Sequence, residues 1–248
     1  MKRLQNIIGK KYSTNEGYEI EIIEYFDSNN CTIKFDDGFI RSNVKYDLIR
    51  KGKIKNRSHF SKMGNFFMGN GIYKSSIKNK LVNSYQVWDK MIKRCYDNGT
   101  HLRQPTYIEC SIVEEWHNYQ NFAKWYEDNY VEGFELDKDI LVKGNKVYGP
   151  NTCCFVPKYI NTLFTKSNTR RGEYPIGIWK YKNNKVRVGI NINNKTTHLG
   201  IFDTLEDAFL CYKLNKEKQI QETILSFKEI LPEKVYNALY NYKVEITD

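Results

Sequence analysis

Only one structure suits residues 185–192. Val186, Val188, Ile190 and Ile192 alternate with Lys185, Arg187, Gly189 and Asn191 at a strict period of two. A run of this kind is stable as a strand with one face in a core and the other in water, which means a half-buried antiparallel sheet. Tyr174–Tyr181 and Thr196–Phe202 supply two further strands, and Lys182-Asn183-Asn184 and Asn193-Asn194-Lys195 the turns between them. A helix is predicted from Asp203 or Thr204, with Leu205, Ala208/Phe209, Tyr212 and Leu214/Asn215 turned to the sheet.

Charge singles out the same region. The chain carries net charge +10, yet residues 166–200 alone hold eight basic side chains and one acidic one. An AT-rich codon bias accounts for 30 Lys against 9 Arg. It does not account for crowding into one segment, which is the electrostatic footprint of a polyanion partner. Lys166–Gly172 reads as a flexible basic linker. Residues 201–248 are net acidic and end in a short helix starting at Pro232, with Val235, Leu239 and Tyr242 spaced to pack.

With 248 residues, 40% of them hydrophobic, the chain can bury a core as one large domain or two to three small ones. No window approaches a membrane span, and the start lacks the apolar stretch of a secretory signal, so no membrane partner is expected. Cys31, Cys95, Cys110, Cys153, Cys154 and Cys211 form no Cys-x-x-Cys pair and read as reduced cytosolic thiols.

Residues 1–57 read as a small SH3-like, barrel-like β domain. The strands are Tyr18–Tyr25, Cys31–Phe35 and Phe39–Val44, separated by Ser28-Asn29-Asn30 and Asp36-Asp37-Gly38 turns. The domain reads first as a protein-interaction or spacer module, with weak nucleic-acid contact through Lys51, Lys53, Lys55 and Arg57 as the alternative. Residues 58–83 form a connector whose glycines forbid a regular helix and whose aromatics must pack on something. Ser84 is a candidate N-cap for a helix carrying Tyr85, Trp88, Met91, Ile92 and Cys95. Ser111-x-x-Glu114 has the capping-box form and predicts a second helix with Trp116, Tyr119, Phe122 and Tyr126 as core.

From Leu136 to Asn161 the order is strand, turn, strand, helix. Asp137-Lys138, then Pro150-Asn151-Thr152-Cys153, then Asn161, with Trp88, Arg94-Cys95-Tyr96, Trp116 and Trp125 ahead of them, resemble a divergent HNH endonuclease of phage or homing type. The resemblance covers residues 84–165 and implies a ββα unit with lead-in helices. It implies that Asp137 and Asn161 hold Mg²⁺ or Mn²⁺ and that Asp137, Lys138 and Asn161 form the catalytic set. Lys138 stands where the family has its general-base His, and Thr152 where it has the Asn that orients that base. An ammonium is a poor base and a good phosphate clamp, so the unit reads as degenerate.

Gly177-Ile178-Trp179, Leu199-Gly200-Ile201-Phe202-Asp203-Thr204 and Glu206-Asp207-Ala208-Phe209…Tyr212 are similar to an AP2-type DNA-binding domain over about 45 residues. The resemblance places residues 172–248 in such a domain, with C-terminal helices. It implies that Trp179, Tyr181, Lys185, Arg187, Asn191, Thr196 and His198 contact duplex DNA. The fold class expected is therefore α+β. It combines a barrel-like N-terminal domain, an HNH-like ββα unit, and a three-stranded antiparallel sheet plus helix.

The leading functional expectation is duplex-DNA binding in the cytoplasm of a bacterial host cell. A second is a nicking or homing endonuclease using Mg²⁺ or Mn²⁺, with no other cofactor implied. A third is a phage antagonist of a nucleic-acid-based defence system such as CRISPR, contacting a defence protein or its guide RNA. For that third expectation the acidic stretch 109–139 would imitate a phosphate backbone.

Overall fold

The computed structural model describes residues 7–60, 63–164, 173–192 and 195–247. The predicted basic linker Lys166–Gly172 and the Asn193-Asn194 turn lie outside the described residues, as do Ser61 and Lys62 of the connector. The architecture is mixed α and β, with several small sheets. The chain divides into two compact units, one of Met1–Ile92 with Glu114–Lys124, the other of Lys93–Val113 with Trp125–Asp248.

In the first unit, β1 (Lys11–Ser13), β2 (Glu19–Asp27), β3 (Asn30–Phe35) and β4 (Ile40–Val44) form an antiparallel sheet in sequence order, followed by α1 (Tyr46–Arg50). Ile20, Ile22, Cys31, Ile33, Phe35, Val44, Ile49 and Ile54 are its core. The barrel-like expectation is corrected here. Closure requires the first and last strands to pair, and β1 and β4 both remain edges.

The connector packs, as its aromatics predict. Phe66 is buried and meets Trp88 edge-on with ring centroids 6.0 Å apart. A two-residue hairpin, β5 (Ser76–Ile77) and β6 (Lys80–Leu81), leads into α2 (Asn83–Tyr96). Ser84 lies inside this helix rather than capping it, and its Oγ is 2.9 Å from Tyr119 Oη. Trp88 Nε1 donates to the Trp116 carbonyl at 2.8 Å, so a buried indole keeps a partner.

The chain continues through α3 (Asn98–Arg103) to β7 (Ser111–Ile112). The capping-box reading of Ser111 fails because Ser111–Ile112 pairs in parallel with β9 (Val147–Tyr148). Instead α4 (Tyr119–Asn129) begins at Asn118, whose Oδ1 accepts from the Gln120 N–H at 3.0 Å. β8 (Phe134–Asp137) pairs antiparallel with β10 (Cys154–Pro157), and α5 (Lys158–Leu163) follows directly.

The sheet β11 (Ile178–Lys180), β12 (Val186–Ile192) and β13 (Lys195–Phe202) is covered by α6 (Leu205–Leu225) and α7 (Glu233–Tyr240). Thr204 caps α6, its Oγ1 accepting from the Asp207 N–H at 3.1 Å and donating to Asp207 Oδ2 at 2.7 Å. One apolar cluster unites Cys154, Val156 and Ile160 of the β8–β10–α5 segment with Ile178, Val188 and Ile190 of the sheet and Ala208, Tyr212 and Leu239 of the helices. Each buried aliphatic side chain contributes about 1.5–3 kcal/mol.

All six cysteines are free, and only Cys211 is not buried. Burial pushes the Cys95 and Cys153 thiols up to about 12, which suppresses the reactive thiolate. Brief iodoacetamide treatment of the native protein is expected to alkylate Cys211 alone, with all six labelled after denaturation. Rapid native labelling at Cys95 or Cys153, read by mass spectrometry, would contradict this packing.

Candidate nucleic-acid interface

The C-terminal sheet sorts its residues by parity. Val186, Val188 and Ile190 are 6%, 0% and 3% exposed and face α6, whereas Arg187 and Asn191 face solvent. Across the strands Arg187 pairs with Trp179 on one side and Ile201 on the other. Trp179 is 43% exposed, while its neighbour Ile178 is 3% exposed in the core. The Arg187 guanidinium lies 5.6 Å from the Trp179 ring centroid, a cation–π arrangement that holds the charged fork over the sheet. Gly189 makes this possible. A Cβ there would stand 3.2 Å from Trp179 Cζ3 and 3.0 Å from the Thr197 carbonyl oxygen, so any larger residue would press on the indole.

A β-bulge decides which residues of β13 join that face. Val188 pairs with Gly200, but Gly189 pairs with His198, so Leu199 is an extra residue on β13. Strict alternation from Ile201 would turn Leu199 and Thr197 outward. With the bulge, Leu199 packs against the core, His198 sits opposite Gly189, and Thr196 sits opposite Asn191. Trp179, Arg187, Asn191, Thr196 and His198 therefore share one open face, with all five exposed.

Two of the predicted contacts stand apart. Tyr181, 38% exposed, closes the first hairpin, its N–H donating to the Lys185 carbonyl at 2.8 Å. The Lys182-Asn183-Asn184 turn has φ of 55° and 59° at its two Asn residues, as a tight hairpin turn requires. Lys185 forms an ion pair with Asp203 at 2.8 Å, which offsets part of its charge. At the other end the Asn191 carbonyl accepts from Gln219 Nε2 at 2.9 Å, tying the strand to α6. Gln219 Oε1 in turn accepts from Lys216, whose ammonium is pushed down to about 8 by burial. Ile201, 43% exposed beside Arg187, belongs to this face and was missed from the sequence, although its pairing parity with Arg187 marks it.

The residues implied by the nuclease resemblance sit differently. Asp137 ends β8, and its Oδ1 accepts the Asp139 and Ile140 N–H groups at 2.7 and 2.8 Å. Burial pushes its pKa above the ordinary carboxylate value in spite of those two bonds. Lys138 is 7% exposed and is turned into the loop it opens. Its ammonium donates to Asp139 Oδ1 and to the Asn145 carbonyl at 3.0 Å, and lies 5.9 Å from the Tyr148 ring centroid. A lysine held so is a hydrogen-bond donor that fastens the loop. Asn161 Nδ2 donates to Glu135 Oε2 at 3.1 Å. Among the described residues no group of three or more His, Cys, Asp and Glu side chains is gathered as a metal site needs. Asp137 Oδ1 is thus engaged by two amides and Asn161 Nδ2 by a carboxylate.

No helix among the described residues is long and apolar enough to cross a membrane. The chain matches no protein-family model, no curated protein and no solved structure.

Proposed function

We propose that this chain binds duplex DNA through the outward face of β11–β13, in the manner of an AP2-type sheet. In this reading the HNH-like β8–β10–α5 segment serves as scaffold rather than as a nuclease, and the protein is of phage or mobile-element type, acting inside a bacterial host cell. One observation carries the proposal. Trp179, Arg187 and His198 all point to solvent from one sheet face, in the segment with the greatest excess of positive charge. The major groove admits such a ribbon, and Arg187 is the side chain suited to guanine or to phosphate. The shared core of scaffold and sheet supports the scaffold role.

Fluorescence anisotropy with a random-sequence duplex tests the proposal. Four phosphate contacts give a slope of about −0.9 per phosphate, hence about a 150-fold loss of affinity between 50 and 200 mM salt. The Trp179→Ala/Arg187→Ala double variant is expected to bind at least about fivefold more weakly, since a good base contact contributes about 1–3 kcal/mol. Both side chains are exposed, so its thermal stability should hold. Flat salt dependence, or a double variant that binds like the parent, removes the proposal. Mg²⁺- or Mn²⁺-dependent cleavage abolished by Asp137→Ala would establish the nuclease reading in its place.

A further inference from the structure

A second cationic feature lies in the first unit, apart from the sheet. Arg57, the connector and Gln120 of α4 line a half-open cavity of about 280 Å³, with Tyr73, Lys74, Ser75 and Ser76 among its walls. It lies below the range of about 300–1,000 Å³ typical of drug-sized ligand sites, so it suits a compact group. No carboxylate lines it. The Arg57 guanidinium makes one long bond, Nη1 to the Gly71 carbonyl at 3.4 Å, which leaves most of its five donors for another acceptor.

The walls are held in advance. Gln120, 8% exposed, donates from Nε2 to the Met68 and Tyr73 carbonyls and accepts the Tyr73 N–H at Oε1, each at 3.0 Å. The Gly69 N–H donates to the Arg57 carbonyl at 2.8 Å, and Tyr119 Oη donates to the Lys74 carbonyl at 3.2 Å. Arg57 and Lys74 both line the cavity these bonds hold. Behind Arg57 stands Arg41, whose Nη1 donates to the Lys55 carbonyl at 3.1 Å. Partial burial and the neighbouring Arg57 guanidinium hold Arg41 below the usual guanidinium value. Among the described residues neither arginine has an acidic partner. Crowded like charges beside a preformed polar cavity are relieved by an anion.

We propose that this cavity is a phosphate-group site, with Arg57 and Lys74 clamping the anion and the Ser75 and Ser76 hydroxyls donating to it. The source of the phosphate is either the nucleic-acid backbone or a free phosphate. The proposal does not depend on the sheet, because inorganic phosphate tests it without any duplex.

The experiment uses the full chain, the Arg57→Gln/Lys74→Gln variant and the Ser76→Glu variant. Isothermal titration calorimetry reads inorganic phosphate, and anisotropy reads duplex DNA across a salt series. All replaced side chains are at the surface, and equal thermal midpoints confirm that the variants fold. Saturable phosphate heat in the parent, lost in both variants, is the expected result. If the backbone is the source, the double variant also lowers the salt slope by about 0.9, the share of the one phosphate held in the cavity. If a free phosphate is the source, the slope is unchanged. The Trp179→Ala/Arg187→Ala variant should keep its phosphate heat. The proposal is overturned if neither readout separates the parent from the double variant. It is also overturned if Ser76→Glu behaves as the parent, since a carboxylate in the cavity must repel the anion.

Discussion

Changing Gly177 to alanine is expected to destabilise the C-terminal sheet by about 3 kcal/mol or more. Gly177 has φ of +75°, a left-handed conformation that costs other residues about 1–3 kcal/mol. A Cβ there would also collide with the ring of Tyr212, which is 4% exposed in the core. Overpacking of this kind adds about 1–3 kcal/mol. The Gly177 carbonyl also accepts the Gly189 N–H at 2.9 Å, so a shift of its backbone disturbs β12 directly. Thermal unfolding followed by circular dichroism checks this. Gly38→Ala is the control, with φ of +87° and nothing within 4 Å of the added Cβ. A Gly177→Ala midpoint no lower than that of the control would refute the collision.

Gly189→Val is expected to separate binding from folding. Its Cβ would press on Trp179 Cζ3 and Thr196 Cγ2, both at 3.2 Å. The indole lies on the open side and can swing into water, while the Thr197 carbonyl oxygen, 3.0 Å from that Cβ, is backbone and must shift, so the stability loss should be about 1–3 kcal/mol. Displacing the indole also takes away the surface over which Arg187 is held. Duplex affinity is expected to fall about tenfold, equivalent to about 1.4 kcal/mol. Anisotropy measures the affinity, and a red shift of tryptophan emission reports the indole. A red shift with undiminished affinity would remove Trp179 from the interface.

What was legible in the sequence followed from local rules. The period of two in residues 186–192 needs nothing beyond the strand itself, and Val186, Val188 and Ile190 are buried while Arg187 and Asn191 are open, as that pattern requires; Ile192, at the strand end, is 40% exposed, and Gly189, without a side chain, is covered by its neighbours. The Thr204 cap and the Asn183-Asn184 turn are equally local. What was misread depends on partners distant in sequence. Ser111 has a helix-capping pattern, but Val147 claims its backbone as a strand. The N-terminal strands carry no sign of whether the first meets the last. Lys138 has the same local pattern whether it points to solvent or into its loop, and Asn145 decides the matter. Arg57 and Lys74 line one cavity beside Gln120, which lies on a later helix and stitches the connector between them.

The added residue at Leu199 gives the outer row of β13 a tolerance to length at one point. Deleting it would join His198 to Gly200 as a regular ladder and leave His198 and Thr196 opposite Gly189 and Asn191, on the same surface row. Lineages that lose that codon would keep their reading groups and thin only the hydrophobic layer below, where Leu199 packs.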